Sequence, residues 1–286
     1  MAYENKNNDY WDIVVQPKST FFQFDFKELW AYRDLILLMV KRDLTAVYKQ
    51  TILGPLWMFI QPIFITIIYN FTFQQAKLST DHIPSILFYL VGQTFWVFFA
   101  DCLTKTSNTF ISNAAVFGKV YFPRLVMPIS IAISNFVKLG IQISLLAVFY
   151  FYYLITTDDL QPHWIFFPAI LFFILLLCGF GLSLGILFSS VTTKYRDFNF
   201  LITFAVQLFM FLSCVIFPAT MFSGTKQFVV LCNPVAGALE AIKYVLTGHG
   251  TYSVTLLLIN SLITILFLIL SVIMFNRTEK SFMDTV

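Results

Sequence analysis

Charged residues are scarce in this sequence of 286 residues. Aspartate, glutamate, lysine and arginine make up 12% of it, whereas hydrophobic residues make up 58% and aromatic residues 19%. A soluble domain carries roughly 25% charged residues, which cover its surface. With half that share, much of the exterior must face lipid instead of water. The formal net charge of +3 is too small to indicate a nucleic-acid partner.

Cysteines are few and the common catalytic motifs are missing. The four cysteines are scattered and show no CxxC or Cys/His spacing, so they indicate neither a disulfide framework nor a metal site. There is no GxxxxGK[ST] phosphate loop, no HExxH and no GxSxG. The first fifty residues lack the short apolar core of a signal peptide. We expect no catalytic, cofactor-binding or metal-binding residue in this chain, and a cytoplasmic tail over residues 1–25.

Long apolar runs are what the sequence does contain. A transmembrane helix needs about 20 mostly apolar residues to cross roughly 30 Å of hydrocarbon. The runs are too long for barrel strands and do not alternate with a period of two. We predict an all-α membrane protein whose transmembrane domain covers residues 53–276. It would hold six transmembrane helices, at 53–73, 85–103, 126–153, 164–190, 199–220 and 253–275.

The distribution of lysine and arginine predicts the orientation. With both termini inside, the inner segments hold fourteen of these residues and the outer segments three, Lys77, Lys226 and Lys243. Positively charged residues accumulate in cytoplasmic loops. We therefore expect a multi-pass protein of the cytoplasmic (inner) membrane with both termini cytoplasmic, including a C-terminal tail over residues 277–286.

An amphipathic helix is predicted before the first span, over residues 26–52. Its apolar residues recur at steps of three and four, at Leu29, Tyr32, Ile36, Val40, Leu44 and Val47. Such a helix is expected to lie in the membrane interface. The alternative is an ordinary amphipathic helix packed on protein. Gly54-Pro55 should end it and turn the chain into the first span.

The segment over residues 221–252 is apolar but repeatedly interrupted. Asn233-Pro234 and Gly248 are among the breaks, and the pieces 226–232 and 235–246 are too short to span a membrane. We expect short external re-entrant helices, which are tolerated only where protein or water covers the broken backbone. Glu240 and Lys243 stand three residues apart and could pair on one helical face. A surface loop is the alternative.

Ionisable residues within the spans are rare. Lys138 is the deepest, and Asp101 lies near the inner end of the second span. Charges at such depth are costly and persist for function. Lys138 could snorkel to the interface or line a cavity. A carrier driven by an ion gradient would need more such groups, so this class is disfavoured.

Five ordered strings resemble one known family. They are RDLTAVYKQTILGPLWMFIQP at 42–62, GKVYFPRLVMP at 118–128, YRDF at 195–198, NPVAGALEAIKYVLTG at 233–248 and the C-terminal RTEKSFMDTV. From about residue 25 onward the chain resembles the permease subunit of type-2 ABC exporters of lipid-linked polysaccharide, such as O-antigen, capsule and teichoic acid. It departs from the common pattern at Lys243, where arginine is more frequent, and at Leu125, where an acidic residue is frequent.

The resemblance implies partners and a mechanism. It implies a homodimer of permeases with a channel between them, two copies of a separate ATPase that binds ATP and Mg, and external gate helices formed by the segment at 221–252. The chain itself would be no enzyme. Coupling to the ATPase is expected in the segment 104–119, through Asn108, Ser112, Asn113 and Phe117, with the helix at Arg33–Lys49 as a second contact. For both, a solvated cytoplasmic surface is the alternative. Charges near the outer leaflet are costly unless they are paired or face water, and a wet exit of the channel would provide that water. We therefore expect Glu240, alone or with Lys243, to help set the closed gate, with both residues near the exit path.

Two further groups of residues are candidates for substrate contact. A lipid-linked diphosphate needs cations near the inner leaflet, for which the candidates are Arg42, Lys49, Arg124 and Arg196. Each could instead only satisfy the positive-inside rule. Aromatic faces suit sliding sugars, and the candidates for lining the channel are Trp57, Phe64, Phe71, Phe200, Phe204 and Phe211. In a chain with 35 phenylalanines, packing against lipid is an equal alternative.

Competing functions stay open at this point. An ABC exporter of teichoic acid, of small lipids or of drugs is the nearest alternative, although drug exporters usually carry a larger external domain. An ion-coupled carrier or channel is less consistent with the scarcity of buried charge. A membrane-bound glycan-processing enzyme would need an acidic or histidine cluster, and Asp158-Asp159 has no such company.

Overall fold

The computed structural model describes residues 26–49, 52–76, 78–117, 122–195 and 197–281. Within these ranges every regular element is helical. The α-helices are α1 (Phe26–Ala31), α2 (Arg33–Lys49), α3 (Trp57–Gln75), α4 (Ser85–Ser107), α5 (Thr109–Phe117), α6 (Val126–Thr156), α7 (Phe167–Lys194), α8 (Phe198–Phe211), α9 (Thr225–Leu231), α10 (Pro234–Thr247) and α11 (Val254–Ser281). The predicted all-α membrane fold is confirmed. The predicted tail at 1–25 and the last five residues lie outside the described ranges.

Within the described ranges, five helices are long and apolar enough to cross a membrane. They cover Gly54–Gln75, Ser85–Ser107, Val126–Thr156, Trp164–Lys194 and Val254–Phe275, which match five of the six predicted spans. The first begins with a short 3-10 turn at Gly54–Leu56, where Gly54-Pro55 was expected to break the chain. α9 and α10 meet at an angle of 95°, as a broken span or a re-entrant pair would.

The predicted fifth span, 199–220, is not a continuous helix. Helix α8 ends at Phe211 and its 14 residues are about 21 Å long, short of a bilayer core. Beyond it the backbone turns, with Cys214 at a φ of 54°, before Pro218, which has no N–H to donate. Distant side chains satisfy the freed carbonyls, because Asn233 donates to Leu212 O at 3.2 Å and Lys243 to Cys214 O at 2.6 Å.

Helices α4 and α7 form the centre of the bundle. Of the apolar window of α4, 78% is buried, against 17% for α3 and 17% for α11. Small residues allow the close approach of α4 and α7: a Cβ at Gly185 would lie 2.6 Å from Thr106 Cβ, and one at Gly181 would lie 3.0 Å from Cys102 Cβ. Glycine at such contacts lets membrane helices pack backbone to backbone. The periphery is left to α3, α8 and α11.

The predicted interface helix is confirmed as helical, but its apolar face packs on protein. Leu29, Ile36 and Val40 are buried in a cluster with Val126 and Phe275. The outer face of α1 and α2 carries Trp30, Leu37 and Leu38, which are 60–71% exposed. The face predicted to contact the membrane therefore packs on protein, as the alternative stated. The opposite face, with Trp30, Leu37 and Leu38, is exposed and can contact lipid.

The bundle has two distinct ends. At the first, which we call the basic end, α2 and α5 meet the start of α6 and the ends of α4, α7 and α11. Contacts at the basic end include Arg42 donating to Asn113 Oδ1 at 3.4 Å and Phe110 stacked on Phe275 at 5.3 Å. At the other, the α10 end, the connection before α7 pairs with α10, since Gln161 N donates to Thr247 O at 3.0 Å.

Candidate functional site

Helix α10 is a buried helix with a well-defined start and end. The Asn233 side chain accepts from Val235 N at 3.0 Å and caps its N-terminus, and Gly248, at a φ of 79°, caps its C-terminus. Twelve of its fourteen residues are buried. Gly237 leaves room for Asn260, whose amide donates to Leu231 O at 3.1 Å. The surface-loop alternative for this segment is therefore wrong.

The predicted Glu240–Lys243 pair forms within α10. Lys243 Nζ lies 3.0 Å from Glu240 Oε1, donates to Cys214 O at 2.6 Å and stands 3.7 Å from the centroid of the Phe88 ring. Thr251 Oγ1 approaches the other carboxylate oxygen at 3.5 Å. Both charged side chains are 1% exposed.

This burial differs from the setting predicted for the pair. The sequence suggested that the two charges face a wet exit of the channel, but neither reaches water within the chain. A buried charge persists when it is paired and hydrogen-bonded. The ammonium meets a carboxylate, a carbonyl and an aromatic face, so it joins α10 to α4 and to the broken end of α8. These contacts hold α10 in place.

The described part of the predicted coupling segment, residues 104–117, folds as the end of α4 and helix α5, at the basic end. Residues 118 and 119 lie outside the described ranges. Ser112 is exposed, whereas Asn113 and Phe117 are each 7% exposed. Phe117 stacks on Phe122 at 5.4 Å and lies under the Arg124 guanidinium. The Phe117 ring is enclosed by its own chain, and its role in coupling stays a prediction.

Asn108 is also engaged inside the chain. Its side-chain oxygen accepts from Asn199 at the start of α8, and its amide donates to Thr104 O at 3.1 Å. Of the four predicted coupling residues, Ser112 is exposed, Asn108 is partly exposed, and Asn113 and Phe117 are buried. Asn113 joins α5 to α2, Phe117 joins it to the segment before α6, and Asn108, between α4 and α5, contacts the start of α8.

Of the predicted phosphate cations that the structure describes, two lie together on α2 and the third lies apart. Arg42 pairs with Asp43 at 2.9 Å and Lys49 is exposed at the end of α2. Arg124 lies over the Phe117 ring, 5.9 Å from its centroid. Arg196 lies outside the described residues. Arg42 and Lys49 line one open cavity on α2 together with Lys41, and Arg124 is not among the residues of that cavity.

A different polar group was missed. Lys138 of α6 and Lys105 of α4 both approach Asp101, the first at 3.9 Å, and Lys105 donates to Asn135 Oδ1 at 3.1 Å. The spacing of four between Asp101 and Lys105 was a signal for the first pair. No sequence signal connects it to Asn135 or to Lys138. Among the described residues no group of three His, Cys, Asp or Glu could hold a metal ion.

The predicted aromatic stripes lie on two peripheral helices. Trp57, Phe64 and Phe71 of α3 are 48–69% exposed. Those on α8 are exposed to a similar degree, 48–79%: Phe200, Phe204 and Phe211. The two helices meet where Tyr69 contacts Met210 Sδ at 3.6 Å. A single chain thus leaves both stripes uncovered, and either lipid or a second chain could cover them.

Comparison with known proteins assigns the chain. The family described as ABC-2 type transporter matches residues 34–247, from α2 to the end of α10. The O-antigen export system permease protein RfbA of Klebsiella pneumoniae is 25% identical over 252 residues, which are 88% of this chain and 94% of that protein. The protein of the same name from Myxococcus xanthus is 23% identical over 228 residues, 78% of this chain and 84% of its own. This multi-pass membrane protein belongs to the ABC-2 type transporter family.

Proposed function

We propose that this chain is the permease subunit of an ATP-driven exporter of lipid-linked polysaccharide, of the O-antigen kind. It would act in the cytoplasmic membrane, with both termini cytoplasmic. The observation that carries the proposal is the match along almost the whole length of relatives named for O-antigen export. The family membership and the five long apolar helices support it.

Energy would come from a separate ATPase bound at the basic end. The sequence has no phosphate loop of its own. Helix α5 is suited to receive the force, because Phe110 packs on Phe275 of α11 and Arg42 of α2 reaches Asn113. A movement of α5 would thus be passed to two other helices, α2 and α11. Ser112 marks its exposed surface for the ATPase.

The channel would form between two copies of the chain. An exposed aromatic face on both α3 and α8 supports this, since a wide ring surface binds sugar C–H groups without fixing their position. Sliding of a polymer needs such weak and repeated contacts. Each copy would contribute its two stripes, and membrane lipid would cover the remaining exposed surface of α11 and α7.

The external gate would divide into a fixed and a movable part. The buried pair holds α10, whereas α9 exposes Lys226, Phe228 and Val229. We assign the opening movement to α9, about the 95° bend at Cys232 and Asn233. Glu240 and Lys243 then set the gate indirectly, by keeping α10 in position.

The test is export by cells that make the polysaccharide. Deleting the gene should leave the lipid-linked glycan inside the cell, and supplying the chain again should restore glycan at the surface, measured by antibody labelling of intact cells. Restoration should require a co-purifying ATPase with an intact phosphate-loop lysine. If surface glycan is unchanged by the deletion while small lipids or teichoic acid accumulate inside, the assignment of the substrate is wrong.

A further inference from the structure

A polar cleft lies between α3, α4 and α6, within the transmembrane domain. Its volume is about 220 Å³. Apolar side chains form part of the wall, and six polar side chains complete it: Gln61, Gln93, Asp101, Asn135, Lys138 and Gln142. Trp57 and Gln61 belong to the first turns of α3, so the cleft lies in the half of the bundle nearer the basic end. Polar groups gathered at this depth are costly and mark functional sites.

The charges around the cleft do not cancel. One carboxylate, Asp101, serves both Lys105 and Lys138. The nearest charges on α2, Arg42 and Asp43, pair with each other at 2.9 Å. They therefore do not change the net charge around the cleft. One positive charge therefore has no counterpart among the described residues of the cleft. A cation at such a site is stabilised when an anion joins it.

The lining also carries hydrogen-bonding capacity that the chain does not use. Gln93 is 5% exposed, and its buried side-chain oxygen has no partner among the described residues. Asn135, 2% exposed, is held between Lys105 and Cys102. A ligand with both an acceptor for the lysines and a hydroxyl donor for Gln93 matches this arrangement. A phosphorylated sugar has both groups.

Snorkelling does not account for Lys138. Its side chain is 21% exposed and its ammonium lies 3.9 Å from Asp101 of the neighbouring helix, across the cleft, instead of reaching to the end of α6. The cations named from the sequence that the structure describes, Arg42, Lys49 and Arg124, do not line this cleft.

We propose that this cleft binds the phosphate or diphosphate group of the lipid-linked substrate, with Lys138 as the direct ligand. Lys105 pairs with Asp101, and Asn135 accepts a hydrogen bond from Lys105 and keeps it in place. Gln93 accepts a hydrogen bond from a hydroxyl of the first sugar. The proposal rests on the proposed function and adds to it where the charged head of the substrate is received.

Binding to the purified permease–ATPase complex in phosphatidylglycerol nanodiscs tests this. The probe is farnesyl diphosphate, with farnesol as the uncharged control. Lys138→Gln should weaken binding of the diphosphate about tenfold or more, the loss expected for one charge-assisted hydrogen bond. Lys138→Arg should stay within about threefold of wild type, because it keeps the charge. Lys226→Gln, on α9 at the opposite end, is the matched control and should leave the affinity for farnesyl diphosphate unchanged.

Each outcome decides a point. Equal binding of farnesyl diphosphate by wild type and Lys138→Gln, both monodisperse and both bound to the ATPase, refutes the site. If inorganic pyrophosphate competes as strongly as farnesyl diphosphate, the site does not recognise a lipid-linked diphosphate. The cleft would then be a site for free anions. Failure of the proposed function would look different: the complex would bind the diphosphate at Lys138, yet deletion of the gene would leave surface glycan unchanged.

Discussion

Replacing Lys243 with methionine removes an ammonium from the interior of the chain while keeping most of the side-chain length. Three partners then lose it: Glu240 Oε1 at 3.0 Å, Cys214 O at 2.6 Å and the Phe88 ring. Removing one member of a buried ion pair costs about 3–5 kcal/mol, because the other charge remains buried alone. These losses share one cause, so they are not to be added.

The expected result is a loss of thermal stability. At about 2–4 °C per kcal/mol, 3–5 kcal/mol corresponds to a fall of roughly 6–20 °C in the midpoint of unfolding. The measurement is the fraction of purified protein that elutes as a single species in detergent after heating. Lys226→Met, an exposed lysine of α9, should change stability by less than about 0.5 kcal/mol.

A double variant separates charge from packing. Glu240→Gln with Lys243→Met leaves no buried charge, so it should recover much of the loss from the single change. If Lys243→Met unfolds within about 1 °C of wild type, the pair is not buried as described. If the double variant loses as much stability as the two single variants added together, the two side chains are not coupled. The stabilising role of the pair is then refuted. Because the pair stabilises α10, single variants should also lower protein level, so export must be compared per molecule.

Three further predictions concern packing, coupling and orientation. Gly185→Ala should destabilise the chain by about 1–3 kcal/mol, because its methyl would lie 2.6 Å from a side-chain carbon of α4, whereas Gly140→Ala, with nothing within 4 Å, should be neutral in the same thermal assay. Ser112→Arg should reduce co-purification with the ATPase without lowering the unfolding temperature. Phe117→Ala should reduce co-purification and also lower the unfolding temperature, since its ring is 7% exposed. Normal co-purification of both variants would refute the role of α5. In a cysteine-free chain, Thr225→Cys should react with an impermeant thiol reagent from outside intact cells and Ser112→Cys should not; the reverse pattern would refute the orientation.

The sequence by itself determined the parts of this fold that depend on local chemistry. Apolar length predicts the five long helices, because backbone groups in lipid must be satisfied within the helix. The breaks at Gly54-Pro55, Asn233-Pro234 and Gly248 follow from the missing N–H of proline and the positive φ open to glycine. The spacing of Glu240 and Lys243 predicts that they pair, and the structure places them 3.0 Å apart.

Only the tertiary structure decided which faces are covered. Where 58% of residues are hydrophobic, helical periodicity shows which side chains share a face but not whether lipid or protein lies against it. For this reason the sequence does not show that the Phe117 ring is enclosed by its own chain. The end of α8 at Phe211 depends on donors from Asn233 and Lys243, which are distant in sequence. The polar cleft likewise gathers Gln93, Asp101 and Lys138 from two helices, and contacts between such separate segments are set by packing, which no local pattern records.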